Sequence, residues 1–128
     1  MTEQRCLIFS GQSDSYELRT ILTALGFDVD ICATLEDAFY YMATYPYDAI
    51  IVEARLTDLM PGPVFAREMQ KMAGAQHATG VSLHDAGAEQ PEKCRMLAAG
   101  VQLCLERPFR QIVIERMLCE AGLLAVAA

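Results

Sequence analysis

Two strand-like runs in this chain end in charged side chains. The apolar run Ala49-Ile50-Ile51-Val52 stops at a carboxylate, Glu53, and a later run, Leu103-Cys104-Leu105, stops at Glu106-Arg107-Pro108-Phe109. An all-apolar run too short for a helix reads as a strand buried on both faces, as in a parallel sheet covered by helices. Charged groups at the carboxyl ends of such strands stand where open α/β sheets bind their ligands. Arg107 brings a planar guanidinium, which can grip a carboxylate through two parallel hydrogen bonds where an ammonium cannot.

The remaining chemistry-bearing residues offer less. His77 and His84 read as isolated loop histidines with no Asp, Glu or Cys at metal-ligand spacing. Gly11 stands alone after the first strand, which disfavours a dinucleotide site, and Ser10 lacks the glycine frame of a nucleophile elbow. Five cysteines, Cys6, Cys32, Cys94, Cys104 and Cys119, are odd in number, scattered and without a Cys-x-x-Cys pair. They read as buried free thiols in a reducing cytosol.

Strand and helix signals alternate along the chain to position these groups. Cys6 to Phe9 is a first strand, and Ser13 or Asp14 caps a helix whose stripe is Leu18, Ile21, Leu22 and Leu25, stopped by Gly26. Phe27, Val29 and Ile31 alternate with Asp28 and Asp30, so the second strand has a wet side and lies at or near a sheet edge. Thr34 starts a helix carrying Ala38, Phe39 and Met42, ended at Tyr45-Pro46. After the Glu53 strand, the breaker cluster Met60-Pro61-Gly62-Pro63 opens a third helix through about Met72, with Phe65 and Met69 on its stripe. A weak strand from Thr79 to Leu83 follows, then a helix opened by Pro91 and closed at Ala98-Ala99-Gly100. Leu103 to Glu106 is the fifth strand. The last helix starts near Gln111 with Ile112, Met117 and Leu118 on its apolar side.

Five strand-helix units without linker, repeat or low-complexity tract predict a small doubly wound sheet. At 128 residues and 53% hydrophobic composition the chain is long enough to bury a sizeable core. No apolar stretch is long enough to span a membrane, and the polar start does not read as a signal peptide. The formal charge of −7, from 10 basic and 17 acidic residues, disfavours direct nucleic-acid binding, which needs a basic face.

Tyr47 to Glu53 and Ala99 to Phe109 resemble two signature stretches of the response-regulator receiver family: the first leads into that family's phospho-acceptor aspartate and the second carries its lysine-proline pair. The resemblance spans nearly the whole chain. It implies a flavodoxin-like α/β fold with a five-stranded parallel sheet in the order 2-1-3-4-5, helices on both faces, and one receiver-like domain over residues 1–128 without an output domain. It also implies that Glu53 stands in place of the acceptor aspartate and Arg107 in place of the lysine, with Arg107-Pro108 a cis peptide. Receivers hold Mg²⁺ with two acids after the first strand and the acceptor. Here those positions fall on Ser10 and Gly11, or on Gln12, so Mg²⁺ binding is not expected, and one extra methylene at Glu53 misplaces any nucleophile. The resemblance places the switch hydroxyl on Ser82 and the aromatic switch on Cys104. The Met60 to Pro63 cluster makes the third loop about one residue longer than the family's.

The implied function is that of a degenerate, non-enzymatic receiver in two-component-type signalling, cytoplasmic, free of cofactor, and working by protein–protein contact through the face from Pro91 to Leu118. A Glu53–Arg107 pair would balance the pocket without metal, and Glu53 is either a standing mimic of the phosphorylated state or a strand-end acid paired for solubility. Two alternatives stand beside this: a phosphorylatable regulator using another acid such as Asp14 or Asp58, and a small-molecule binder using the same crevice.

Overall fold

The computed structural model describes residues 4–55, 60–72, 75 and 77–124. Five strand-helix units follow in strict alternation: β1 (Gln4–Phe9), α1 (Ser15–Ala24), β2 (Phe27–Cys32), α2 (Leu35–Thr44) and β3 (Ala49–Glu53), then α3 (Gly62–Met69), β4 (Thr79–His84), α4 (Gln90–Ala98), β5 (Leu103–Glu106) and α5 (Gln111–Glu120). All pairings are parallel and the strand order is β2-β1-β3-β4-β5. The predicted doubly wound flavodoxin-like sheet is therefore present. β2 lies at an edge, as its alternating Asp28 and Asp30 required.

Side chains on successive strand residues point to opposite faces. Cys6, Ile8, Ala49, Ile51, Val81, Leu83 and Leu105 form one face and pack on Leu18 and Leu22 of α1 and Ile114 and Leu118 of α5. Leu7, Phe9, Ile50 and Val52 form the other, against Ala38 and Met42 of α2 and Phe65 and Met69 of α3. α4 lies beside α3 through Ala66, Met96 and Ala99. Every residue of β3 is buried, so Glu53 ends a strand with no wet side.

Local signals hold at several joints. The Thr34 hydroxyl accepts from Asp37 N at 3.1 Å and caps α2. Gly26, at φ +101°, closes α1 in the left-handed region. A Cβ at Gly62 would lie 2.3 Å from the Ala54 carbonyl oxygen, so only glycine lets α3 start against the end of β3.

Four expectations need correction. Asp14 occupies the N-cap of α1 without a side-chain cap, because its carboxylate is held elsewhere. α3 ends at Met69 rather than Met72: the amides of Lys71 and Met72 bond three residues back, and the Gln70 side chain donates to Ala99 O at 2.8 Å. Ile112 is 69% exposed, since the buried stripe of α5 runs through Ile114 and Leu118 and two residues earlier is the far side of a helix. β4 runs to His84, so that histidine is a buried strand residue and not a loop one.

Candidate functional site

At the carboxyl ends of β1, β3 and β5, the residues on the α1/α5 face converge. Ser10 follows Cys6 and Ile8 in alternation, Glu53 follows Ile51, and Arg107 follows Leu105. The Ser10 hydroxyl, buried, donates to Glu53 Oε1 at 2.8 Å and accepts from Gln12 N at 3.1 Å. Arg107 takes Glu53 in the two-pronged grip that its fork allows, Nη1 to Oε2 at 3.0 Å and Nη2 to Oε1 at 2.5 Å. Its Nε and Nη2 also donate to Asp14, at 2.6 and 3.3 Å, and Nη1 reaches Asp85 at 3.5 Å. The guanidinium carbon lies 5.4 Å from the Phe109 ring centre. The Arg107-Pro108 peptide is cis.

One guanidinium thus faces three carboxylates. The hydrogen bond to Glu53, joined by Asp14, pushes the Arg107 pKa further above its ordinary value against the opposing effect of burial. Since arginine does not lose its proton in proteins, this positive charge is permanent. Side-chain exposure is 15% at Arg107 and 8% at Glu53, so the pair is largely shielded from water, whereas Asp85 at 65% is not.

These residues do not suit Mg²⁺. Both Glu53 oxygens already accept from Arg107 and one of them from Ser10, and the positions that would supply further acids offer a neutral hydroxyl and an exposed glycine, Gly11. Among the described residues no group of three His, Cys, Asp or Glu is arranged to hold a metal ion. Asp14, named from the sequence as a helix cap and as an alternative acceptor, does reach the pocket, but as a partner of Arg107, which the sequence did not indicate; Asp58 lies outside the described residues.

Ser82 is not in this pocket. It pairs in register with Val52, one residue before the Glu53 position, and so projects from the opposite face. Asp85, just past β4, is the residue there that reaches Arg107. Ser82 lies instead in a second polar group, with its Oγ 2.7 Å from His84 Nε2 and 3.3 Å from Cys104 Sγ. His84 Nδ1 sits 2.5 Å from Glu92 Oε2 of α4, and Glu92 in turn accepts from Arg55 Nε at 2.7 Å. Sequence reading missed this group by ending β4 one residue early. The alternation of Val81 and Leu83 with Ser82 and His84 was the available signal.

No protein-family model matches this sequence, and no curated protein does. Solved structures do match in shape. The receiver domain of a Pseudomonas aeruginosa sensor histidine kinase, solved with magnesium in its active-site cleft, superposes at TM-score 0.78 with 24% identity, covering 93% of this chain and 97% of that one. A two-component response regulator of Clostridium difficile gives 0.80 at 19% identity, over 92% and 94%. A chemotaxis protein of Vibrio cholerae gives 0.81 at 17%, over 93% and 98%. Likeness at these identities speaks for architecture, and by that measure the chain is built on the receiver fold.

Proposed function

We propose that this protein is a degenerate receiver that signals by protein–protein contact and does not take a phosphoryl group at Glu53. The observation that carries the reading is the Arg107 grip: the carboxylate in the acceptor position is already neutralised by an internal cation that also ties down Asp14. An incoming phosphoryl group would have to displace a shielded, doubly hydrogen-bonded ion pair without a metal to offset its charge. The same clamp argues against Asp14 as a substitute acceptor, and against Glu53 as a free negative mimic of a phosphorylated state.

Leu97, Ile112 and Val113, exposed at 46%, 69% and 48%, lie within residues 91–118 and support that stretch as the partner-facing surface. The net charge of −7 favours a protein over a nucleic acid as the partner. No helix among the described residues is long and apolar enough to cross a membrane.

The test is amide NMR during titration with Mg²⁺ and beryllofluoride, together with intact mass after acetyl phosphate treatment. Unchanged resonances at residues 53, 85 and 107 and an unchanged mass are expected. Saturable shifts there, or the mass of an added phosphoryl group, would overturn the reading.

A further inference from the structure

On the opposite face of the sheet from the Arg107 pocket, four side chains form a chain whose order has chemical meaning. Cys104 of β5, Ser82 and His84 of β4, and Glu92 of α4 are linked through contacts of 3.3, 2.7 and 2.5 Å. Ser82 and His84 are shielded from solvent, at 0% and 1% exposure, while Cys104 and the Glu92 side chain are partly open. Among the described residues no buried side-chain nitrogen or oxygen lacks a partner, and the Ser82 hydroxyl also lies 3.4 Å from Leu103 O.

Glu92 can only accept from Nδ1, so His84 keeps a proton there and Nε2 is the exchanging position. With neutral imidazole the Ser82 hydroxyl donates to Nε2 and accepts from the Cys104 thiol. Shift both protons one place and Ser82 donates to a thiolate while accepting from an imidazolium held by Glu92. No heavy atom need move.

We infer that Cys104 is an activated thiol, a modification site for peroxides and soft electrophiles, with Ser82 relaying its proton to the His84–Glu92 pair. Its surroundings favour the charged form. Burial alone would raise the Cys104 pKa, yet hydrogen bonds from His84 and Ser82 bring it below the ordinary thiol value. Burial alone would lower His84, yet Cys104 and Glu92 hold it above the ordinary imidazole value. Lys93 of α4, ion-paired with Glu106 at the end of β5, adds a nearby positive charge. Cys6 is buried with its pKa pushed up, and burial pushes Cys32 up to about 12, so neither competes.

With a hydroperoxide, the Cys104 thiolate attacks the outer oxygen and an S–O bond forms as the O–O bond breaks. The departing alkoxide or hydroxide takes the proton stored on His84. Sulfur is oxidised by two electrons to the sulfenic acid and the peroxide is reduced to alcohol or water. With an alkyl halide the S–C bond forms and halide leaves.

The experiment is site-resolved labelling of the full chain with iodoacetamide, followed by mass spectrometry. At pH 6.5 Cys104 should react roughly tenfold faster than the exposed Cys94, and His84→Gln should slow Cys104 by a similar factor while leaving Cys94 unchanged. If His84→Gln loosens the core, labelling of Cys6 will report it; Glu92→Gln at the rim then serves as the test variant and should also slow Cys104 selectively. Cys104 reacting no faster than Cys94 at pH 6.5, or unaffected by the relay variants, overturns the inference. Trapping with dimedone after equimolar hydrogen peroxide should find sulfenic acid at Cys104 first; finding it first at Cys94 would also overturn it.

Discussion

Glu53 and Ser82 sit in adjacent strands, one register position apart, and face away from each other into unlike chemistry. On the α1/α5 side one fixed cation organises the site: a guanidinium that cannot be deprotonated holds Glu53, Asp14 and, more loosely, Asp85. On the α4 side the groups are titratable, with a thiol, a hydroxyl and an imidazole linked in a row that ends on Glu92. The parity of a strand residue therefore decides which system it joins. The first arrangement occupies its carboxylates with one internal cation; the second joins a thiol to an imidazole through a hydroxyl.

The largest effect expected from breaking this contrast is at Arg107. Arg107→Ala leaves the shielded Glu53 carboxylate without its cation and beside Asp14, and should cost ~3 kcal/mol in urea unfolding. A loss below about 1 kcal/mol, the size of an exposed pair, would mean the pocket is not a shielded clamp. Arg107→Lys keeps the charge but not the fork; a smaller loss of about 1–2 kcal/mol is expected in the same measurement.

The α4 side should instead show its signature in pH. His84 is raised above its ordinary 6.5, so its stabilising contribution is complete below that value and is lost as pH climbs through the raised folded value. Glu92 is lowered beneath its ordinary 4.5, so its contribution is complete above that and is lost as pH falls through the lowered folded value. The unfolding free energy of the wild type minus that of Glu92→Gln should therefore be widest between about 4.5 and 6.5. It should narrow less on the alkaline side, where Glu92 still accepts from Arg55. A flat difference across that range would dissolve the contrast between the two faces. The smallest effect concerns partner binding: Glu53→Gln should change affinity for a captured partner less than Arg95→Glu on exposed α4. Titration calorimetry that ranks them the other way would show that the pocket controls the surface after all.

Much of the architecture was legible because the two periods of secondary structure are strong in this chain. β3 is wholly apolar up to Glu53, β2 alternates, and Gly26 and Thr34 punctuate α1 and α2 as their chemistry requires. The failures came where a residue had two eligible partners. Asp14 is as good a helix cap as it is an anion for Arg107, and only the fold puts Arg107 within reach, 93 residues along the chain. Ser82 and His84 were read as a strand-end hydroxyl and a loop histidine because one residue at the end of β4 was left off. That single step conceals their shared face. Ile112, expected on the apolar side of the last helix with Met117 and Leu118, is exposed because its spacing from Ile114 excludes it from the buried stripe.

The long reach between Asp14 and Arg107 also bears on how the molecule comes together. Asp14 and Glu53 belong to the first half of the chain, and the cation that reconciles them arrives with β5, the last strand. A contact of such sequence separation is among the slowest to close. Until β5 docks, the growing sheet carries uncompensated carboxylates at its strand ends. An Arg107 contact that closes late would act as a latch on the finished fold. An interaction of that kind sets how slowly a protein comes apart more than how fast it forms, so Arg107→Ala should accelerate unfolding in stopped-flow measurements while the folding rate stays near that of the wild type.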